Sequence, residues 1–412
     1  GDAVVSGELL IEAADRAGDL HLASRARINT ASSLNYLGQF GPYFTDRYRT
    51  PWGQAIDFDG PDSTAVRRFV VENAVQWVRE FHMDGLRLDA VHSIFDASPR
   101  HILTEITEAV HAAGEGRRVH VIAESDENDA SLITPAADRV RGVDAQWSDD
   151  FHHALHALLT GEGAGYYQDF GRLHDMAAAF EEGFVYAGQH SPFRGQPHGT
   201  SSRHVDGERL VVCAQNHDQV GNRMLGERLG HLVSFAHVKL ASATLLVAPC
   251  VPLLFMGQEY GDPAPFLYFV SHSDPALVEA VRRGRREEFS GFAWRGEVPD
   301  PQAEETFRRS TLTQALAERE PHRALRDFHR DLLRLRRSLP ARRPLDKDRC
   351  QVACLDEARA LVVRRWAGDS EVLVTLAFSD REMAADVPAP AGAWRTLPDS
   401  EDRRVGGARE VT

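Results

Sequence analysis

The sequence has 412 residues, of which 42% are hydrophobic and 26% are charged, a composition typical of a folded globular protein. Four cysteines are too few for a disulfide scaffold, and the composition excludes a disordered or collagen-like chain. The net charge of −14 disfavours binding to nucleic acid, because the phosphate backbone would be repelled on average.

The first half of the chain predicts helices that alternate with short apolar strands. Residues 36–63 are rich in aromatic residues, glycine and proline, and we interpret them as a long ordered loop. Apolar residues then recur at helical spacing up to residue 81, and a strand is predicted at 86–91. A second helix is predicted at 99–113 and a second strand at 118–123. Because the helices are long enough to cross over, this order indicates a parallel sheet.

The second half adds an insertion, two more strands and two helices. The insertion covers 160–208, and the strands are predicted at 210–214 and 251–256. A helix is predicted between these strands at 231–247, and a last helix at about 323–338.

The pattern divides the chain into three predicted parts. An atypical N-terminal segment covers 1–35, and the portion that alternates helices and strands covers 36–344. From 345 to 412 short alternating strands separated by turns predict a small β-sandwich-like domain.

Neither export nor membrane insertion is expected. The first residues lack a basic region before an apolar stretch, so they are not a secretory signal. The most apolar run contains Pro249 and Pro252, which excludes one uninterrupted spanning helix. Cys213 and Cys250 lie in apolar segments and are predicted to be buried thiols, and unpaired cysteines favour the reducing cytoplasm.

Polar residues that can do chemistry stand where the predicted strands end. Arg87 and Asp89 end the first strand, Glu124 ends the second, and His217 with Asp218 follows the third. In a parallel β/α barrel the carboxyl ends of all strands share one face, where active sites are built. We therefore expect the three carboxylates to converge there.

Two carboxylates are enough to hydrolyse a glycosidic bond, one as nucleophile and one as proton donor. Arg87 stands two residues before Asp89 and points the same way along the strand, so its charge would keep Asp89 ionised. A third carboxylate would favour the protonated form of the acid by like-charge repulsion. The alternative is that each of these residues only caps a following helix. Their joint occurrence at successive strand ends favours the catalytic interpretation.

Three motifs identify a family that the sequence resembles. The segments DGLRLDAVH, VIAES and QNHDQVGNR closely resemble conserved segments of the α-amylase superfamily of retaining glycoside hydrolases. The finer resemblance is to malto-oligosyltrehalose trehalohydrolases, and it extends over roughly residues 34–345. The segments that support it are 43–63, 144–162, 253–274 and 282–289.

The resemblance implies a fold and an activity. The fold is a (β/α)8 barrel of the TIM type with a small C-terminal β domain. The reaction is hydrolysis of the α-1,4 bond next to a terminal trehalose unit of a malto-oligosaccharide. No cofactor and no metal are implied.

The resemblance also implies roles for residues of this chain. Asp89 matches the nucleophile, Glu124 the general acid/base and Asp218 the carboxylate that stabilises the transition state. Arg87 and His217 match residues that bind the sugar next to the cleaved bond.

The family's D-V-V-Y-N-H segment, on the third strand, has no counterpart here. Residues 22–34 read LASRARINTASSL instead. The sequence is therefore expected to enter the barrel just before its fourth strand. Either residues 1–30 supply a replacement strand, through GELLIEA or DLHLA, or the edge of the fourth strand stays open, and we favour the open edge. An incomplete barrel is expected to have activity well below that of an intact relative.

Four further residues are weaker candidates for a functional site. Trp147 and Asp149 are predicted sugar contacts, although a core position is as good an interpretation for the tryptophan. His152 and His156 share a helix face, but no further ligands at zinc spacing follow, so a metal is not predicted.

Two other functions remain open from the sequence. An α-1,4-glucan branching enzyme of the same superfamily uses the same carboxylates but transfers the chain to a sugar. A non-catalytic glycan-binding fragment would keep sugar contacts without turnover.

Overall fold

The computed structural model describes residues 37–50, 53–134, 141–289, 297–342, 345–397 and 399–407. The expectations for residues 1–35 and for the early barrel strands lie outside these ranges. The chain divides into two compact units. The first contains residues up to 147 together with 221–225 and 267–308, and the second contains the remainder.

Short strands and longer helices alternate along most of the described chain. The strands are β1 (Phe44–Thr50), β2 (Gly53–Ile56), β3 (Gly85–Leu88), β4 (His120–Ala123), β5 (Ala145–Trp147), β6 (His190–Ser191), β7 (Gln196–Pro197), β8 (Leu210–Cys213), β9 (Val251–Leu253), β10 (Cys350–Leu355), β11 (Ala360–Ala367) and β12 (Ser370–Ala377). The helices are α1 (Thr64–Arg79), α2 (Ile102–Ala113), α3 (Asp149–Thr160), α4 (Leu173–Glu181), α5 (His217–Gly221), α6 (Leu229–Leu232), α7 (Phe235–Val247), α8 (Pro275–Phe289), α9 (Glu304–Arg309) and α10 (His322–Ser338).

In the first unit, β3, β4 and β5 pair in parallel in that order. Leu86 aligns with Val121, and Leu88 aligns with Ala123, and all four side chains are buried. The parallel arrangement predicted from the sequence is therefore confirmed for these strands. Strand β3 is shorter than predicted, because the chain turns sharply after Asp89, and β5 was not predicted.

Helices α1 and α2 belong to the same unit. Helix α1 buries Val66, Val70, Ala74 and Val78, a spacing of four that puts one apolar stripe on the inner face. Helix α2 begins later than predicted because His101 is its N-cap and accepts the N–H of Leu103 at 3.2 Å.

In the second unit, β8 and β9 pair in parallel, and α7 lies between them in the chain. The helix predicted at 231–247 is confirmed over Phe235–Val247 as α7, but the structure has a separate helix, α6, before it. Ser234 separates them, and its side chain accepts the N–H of His237 as the N-cap of α7. Cys213 and Cys250 are buried free thiols, as predicted.

The change of pattern after residue 345 corresponds to an antiparallel sheet. Strand β11 pairs with β10 on one side and with β12 on the other. Leu361 and Val363 are fully buried on the central strand. Over the residues that the structure describes, no helix is long and apolar enough to cross a membrane.

His101 should make stability depend on pH, because its imidazole is 5% exposed and burial lowers its pKa from 6.5 to about 4. The unfolded chain therefore binds the proton first. The free energy of unfolding should fall by up to roughly 3 kcal/mol as the pH drops from about 6.5 to about 4. Urea unfolding at several pH values measures this slope.

His101→Asn should reduce that slope, because asparagine keeps an N-cap acceptor but does not titrate. The matched control is His174→Asn, at a side chain that is 67% exposed. Equal slopes in the wild-type protein and His101→Asn would contradict the prediction.

Candidate active site

Asp89 and Glu124 directly follow the neighbouring strands β3 and β4, and backbone bonds continue the pairing past them. The N–H of Glu124 donates to the carbonyl of Leu88 at 2.8 Å, and the N–H of Val91 donates to the carbonyl of Glu124 at 3.0 Å. Asp89 is 4% exposed and Glu124 is 7% exposed. The two carboxylates thus lie at the ends of adjacent strands and are almost inaccessible to solvent.

The Glu124 carboxylate is fixed by the residue that follows Asp89. Its Oε2 accepts the N–H of Ala90 at 2.6 Å, so the two acidic segments are joined through one peptide group. Ala90 has φ 45° and ψ 45°, a left-handed conformation that is uncommon for any residue other than glycine. A strained backbone held by its surroundings is typical of functional sites.

Arg87 is the charged partner of Asp89. Its Nη1 donates to Asp89 Oδ1 at 2.5 Å, and both side chains are nearly buried. The guanidinium also lies over the indole ring of Trp147, with 4.4 Å from Cζ to the ring centroid. A cation this close favours the ionised form of the Asp89 carboxyl. The contact predicted between Arg87 and Asp89 is present. One face of the Trp147 ring is in contact with the Arg87 guanidinium.

The loop after Asp89 is held by the hairpin formed by β1 and β2 and the turn that follows it. Asp59 Oδ2 accepts the hydroxyl of Tyr48 at 2.6 Å and the N–H of Ala97 at 2.9 Å. The ring of Tyr48 stacks on Phe95, with ring centroids 5.0 Å apart. The prediction of a long loop over 36–63 is wrong in part, because Phe44–Thr50 and Gly53–Ile56 pair as antiparallel strands. The turn after this hairpin positions residues 95–97, six to eight positions after Asp89.

The second unit holds His217, Asp218 and Asp149. His217 Nε2 lies 3.3 Å from Asp218 Oδ2, at the start of α5. The thiol of Cys213, at the end of β8, is within electrostatic range of Asp149 and Asp218. Burial raises the pKa of this thiol well above the ordinary value, and the negative charges of Asp149 and Asp218 raise it further.

An aromatic surface in the same unit was missed from the sequence. Tyr166 donates its hydroxyl to Gln219 Oε1 at 3.4 Å, one residue beyond Asp218. Phe193 is 43% exposed at the tip of the hairpin of β6 and β7, edge-on to Tyr166 with centroids 6.3 Å apart. Asp169 fixes this tip by accepting the N–H of Phe193 at 2.9 Å.

The histidines of α3 form an aromatic stack. His156 Nε2 lies 2.8 Å from Glu162 Oε2, and its ring stacks on Tyr167 with centroids 4.5 Å apart. His152 stacks on His156 in turn, at 5.3 Å. Within the described ranges, no group of three His, Cys, Asp or Glu side chains could hold a metal ion.

Two known proteins that are similar to this chain share one name. A malto-oligosyltrehalose trehalohydrolase from Saccharolobus solfataricus is 45% identical over 303 residues, which cover 74% of this chain and 51% of that protein. A protein of the same name from Deinococcus radiodurans is 38% identical over 413 residues, which cover 98% of this chain and 67% of that protein. This chain thus spans about half the length of the first relative and two thirds of the second.

The solved structures include one with high similarity. A crystal structure from Salmonella typhimurium, provisionally titled an alpha amylase, superposes with a TM-score of 0.75 at 36% identity. The match covers 85% of this chain and 60% of that one. No family model matches the sequence. On its identity to the Deinococcus radiodurans protein and the shared length, this chain belongs to the malto-oligosyltrehalose trehalohydrolases, within the α-amylase family.

Proposed function

We propose that this protein hydrolyses the α-1,4-glucosidic bond next to the terminal trehalose of malto-oligosyltrehalose and releases trehalose. The observation that carries the proposal is the arrangement at the ends of β3 and β4. There, Asp89 contacts Arg87 at 2.5 Å, and Glu124 accepts the N–H of the residue after Asp89. Family membership selects the trehalose-releasing reaction among those that two carboxylates can catalyse.

Each residue has a proposed role in a double displacement. The Asp89 carboxylate attacks the anomeric carbon, while Glu124 donates a proton to the leaving oxygen of the trehalose unit. Glu124 then takes a proton from water, which attacks the glucosyl–enzyme ester and regenerates Asp89. Asp218 stabilises the positive charge of the transition state, and this role rests on its place in the N-H-D motif.

The groups around these acids have supporting roles in the proposal. Arg87 keeps Asp89 ionised, and both Arg87 and His217 bind the sugar at the cleaved bond. Trp147 and Asp149 stay predicted sugar contacts. Tyr166 and Phe193 are added as a further aromatic surface for glucose rings, because aromatic faces suit the apolar faces of sugars.

The family also supports a proposed architecture and a substrate class. We propose a (β/α)8 barrel portion over 36–344 and a β-sandwich-like domain over 345–412. The partner is a malto-oligosaccharide that ends in trehalose. A cytoplasmic location and the lack of a nucleic-acid or membrane partner stay predictions from charge and cysteine content.

Product analysis tests the proposed reaction. Maltotriosyltrehalose incubated with the purified protein should release free trehalose, and NMR should show the new reducing end first in the α configuration, as a retaining mechanism requires. New α-1,6 branches instead would assign the chain to the branching enzymes. Tight binding without any product would make it a glycan-binding protein.

Arg87→Lys should lower kcat for trehalose release by about tenfold or more. Lysine keeps the charge but loses the planar contact with Trp147, which contributes roughly 2 kcal/mol when desolvated, and each 1.4 kcal/mol is a factor of ten in rate. Steady-state kinetics measures the effect. The control is Arg49→Lys, at a side chain that is 73% exposed, and equal kcat in both variants would contradict the prediction.

A further inference from the structure

The second unit contains a cavity that the proposed reaction does not use. Its volume is 230 Å³, and neither His217 nor Asp218 lines it. A water molecule in the liquid occupies about 30 Å³, so this volume has room for one six-membered sugar ring. Its apolar walls are the side chains of Phe235, Val238, Pro263, Pro321 and Leu325.

Two buried amides of the cavity wall have unused hydrogen-bond donors. Gln215 is 6% exposed, and its Oε1 accepts the N–H of Leu229 at 2.7 Å. Gln258 is 4% exposed, and its Oε1 accepts the N–H of Phe255 at 3.2 Å. These bonds fix which side of each amide carries the nitrogen. Neither Nε2 has a partner in the part of the chain that the structure describes.

A histidine at the same wall supplies an acceptor. His322 Nδ1 lies 2.8 Å from the carbonyl oxygen of Tyr260, which can only accept, so Nδ1 carries the proton in the neutral ring. Nε2 of that ring is then an acceptor. The wall therefore offers two amide donors and one acceptor, and Arg228, which also lines the cavity, has a buried Nη2 without a hydrogen-bond partner among the described residues.

The charges of the wall compensate each other. Arg228 and Asp262 are each 3% exposed, and the Asp262 charge acts on the Arg228 guanidinium. Arg228 donates to the carbonyls of Ala264 and Met256, at 2.6 and 2.8 Å. Asp262 accepts the hydroxyl of Tyr260 and the N–H of Thr313, at 3.0 and 2.7 Å. A bound anion would lack a counter-charge of its own, so the cavity suits a neutral ligand.

We propose that this cavity binds one neutral polyhydroxylated ring of hexose size, at a site separate from the proposed catalytic residues. The amide N–H groups of Gln215 and Gln258 donate to hydroxyl oxygens, and His322 Nε2 accepts a hydroxyl proton. The apolar walls cover the C–H faces of the ring. The proposal does not depend on the proposed hydrolysis, because it concerns binding alone.

Gly230 offers a way to block the cavity. It lies in α6, and a Cβ added there would lie 3.9 Å from Val238 Cγ2, which is ordinary contact distance. Gly230→Leu extends a side chain into the cavity, whereas the matched control Gly230→Ala adds only a methyl group. Val238→Phe blocks the cavity from α7 and serves as a second, independent variant.

The experiment is a titration of the purified protein with D-glucose, followed by saturation-transfer NMR. A ligand of this size is expected to bind with a Kd of about 1 mM. Gly230→Leu and Val238→Phe should weaken binding by at least ~10-fold, and Gly230→Ala by less than ~3-fold. Asp218→Asn, at a proposed catalytic residue, should leave the affinity for glucose unchanged. Thermal unfolding midpoints within a few degrees of the wild type identify the variants that are folded.

Several results would overturn the proposal. One is that the wild-type protein binds no glucose at concentrations up to about 0.1 M, a hundredfold above the expected Kd. Another is binding that Asp218→Asn abolishes and the cavity variants do not, which would place glucose at the proposed catalytic residues. Preferential binding of inorganic phosphate would show that the cavity takes an anion. None of these outcomes depends on whether the protein releases trehalose.

Discussion

Asp89→Asn should lower kcat for trehalose release by at least ~10⁴-fold, because removal of a catalytic nucleophile eliminates the covalent route. Asparagine has the same shape, so the backbone bonds at the ends of β3 and β4 should persist. The guanidinium of Arg87 would face a neutral amide and not a carboxylate. Steady-state kinetics with maltotriosyltrehalose gives the rate, and trehalose is assayed directly.

The control for this experiment is Asp46→Asn, at a side chain that is 69% exposed, which should keep full activity. A slow fluorinated glucosyl substrate provides a second measurement. It should leave a glucosyl adduct on the peptide that contains Asp89 in the wild-type protein and none in Asp89→Asn. An adduct on a different carboxylate, or a loss of less than tenfold in kcat, would contradict the assignment.

Strands β3 and β4 and helices α1 and α2 of the first unit were predictable because their patterns are local. Leu86, Leu88, Val121 and Ala123 are apolar residues in short runs, and such runs bounded by polar residues are typical of buried parallel strands. The same argument found the polar residues that end these strands. The predicted contact of Arg87 with Asp89 follows from the two-residue period of a strand.

Features that depend on tertiary structure could not be predicted. No sequence rule puts Ala90 in a left-handed conformation, since alanine has no preference for it, and the surrounding structure imposes it. Strand β5 has three residues, which is too short for a periodicity to be detected. Tyr166 and Gln219 are 53 positions apart, so only the folded chain brings their side chains together.

The loop after Asp89 depends on a buried ion pair. Arg67 Nη1 donates to Asp96 Oδ2 at 2.6 Å and to the carbonyl of Phe58 at 2.8 Å. The Asp96 side chain has no exposed surface, and it also accepts the N–H groups of Ser98 and Ile102, at 2.9 and 2.6 Å. One carboxylate thus joins α1, the loop after Asp89 and the start of α2.

Asp96→Ala should lower the free energy of unfolding by about 3–5 kcal/mol at pH 7, because it leaves a buried cation without its main partner and two N–H groups without an acceptor. The matched control is Glu105→Gln. Glu105 also binds Arg67, at 3.1 Å, but it is 26% exposed, so its loss should cost about 1 kcal/mol or less. Urea unfolding of the three proteins measures these differences.

The difference in unfolding free energy between the wild type and Asp96→Ala should depend on pH if the ion pair causes it. The hydrogen bonds from Ser98, Arg67 and Ile102 lower the pKa of Asp96 below its ordinary value of 3.8, against the opposing effect of burial. A carboxyl with a lowered pKa stabilises the fold above its unfolded pKa, and the contribution is lost as the pH falls through the folded pKa. The unfolding free energies of the wild type and Asp96→Ala should therefore approach one another below pH 3.8. A difference that stays constant from pH 7 to pH 3 would mean that packing, and not the ion pair, holds the loop beside Asp89.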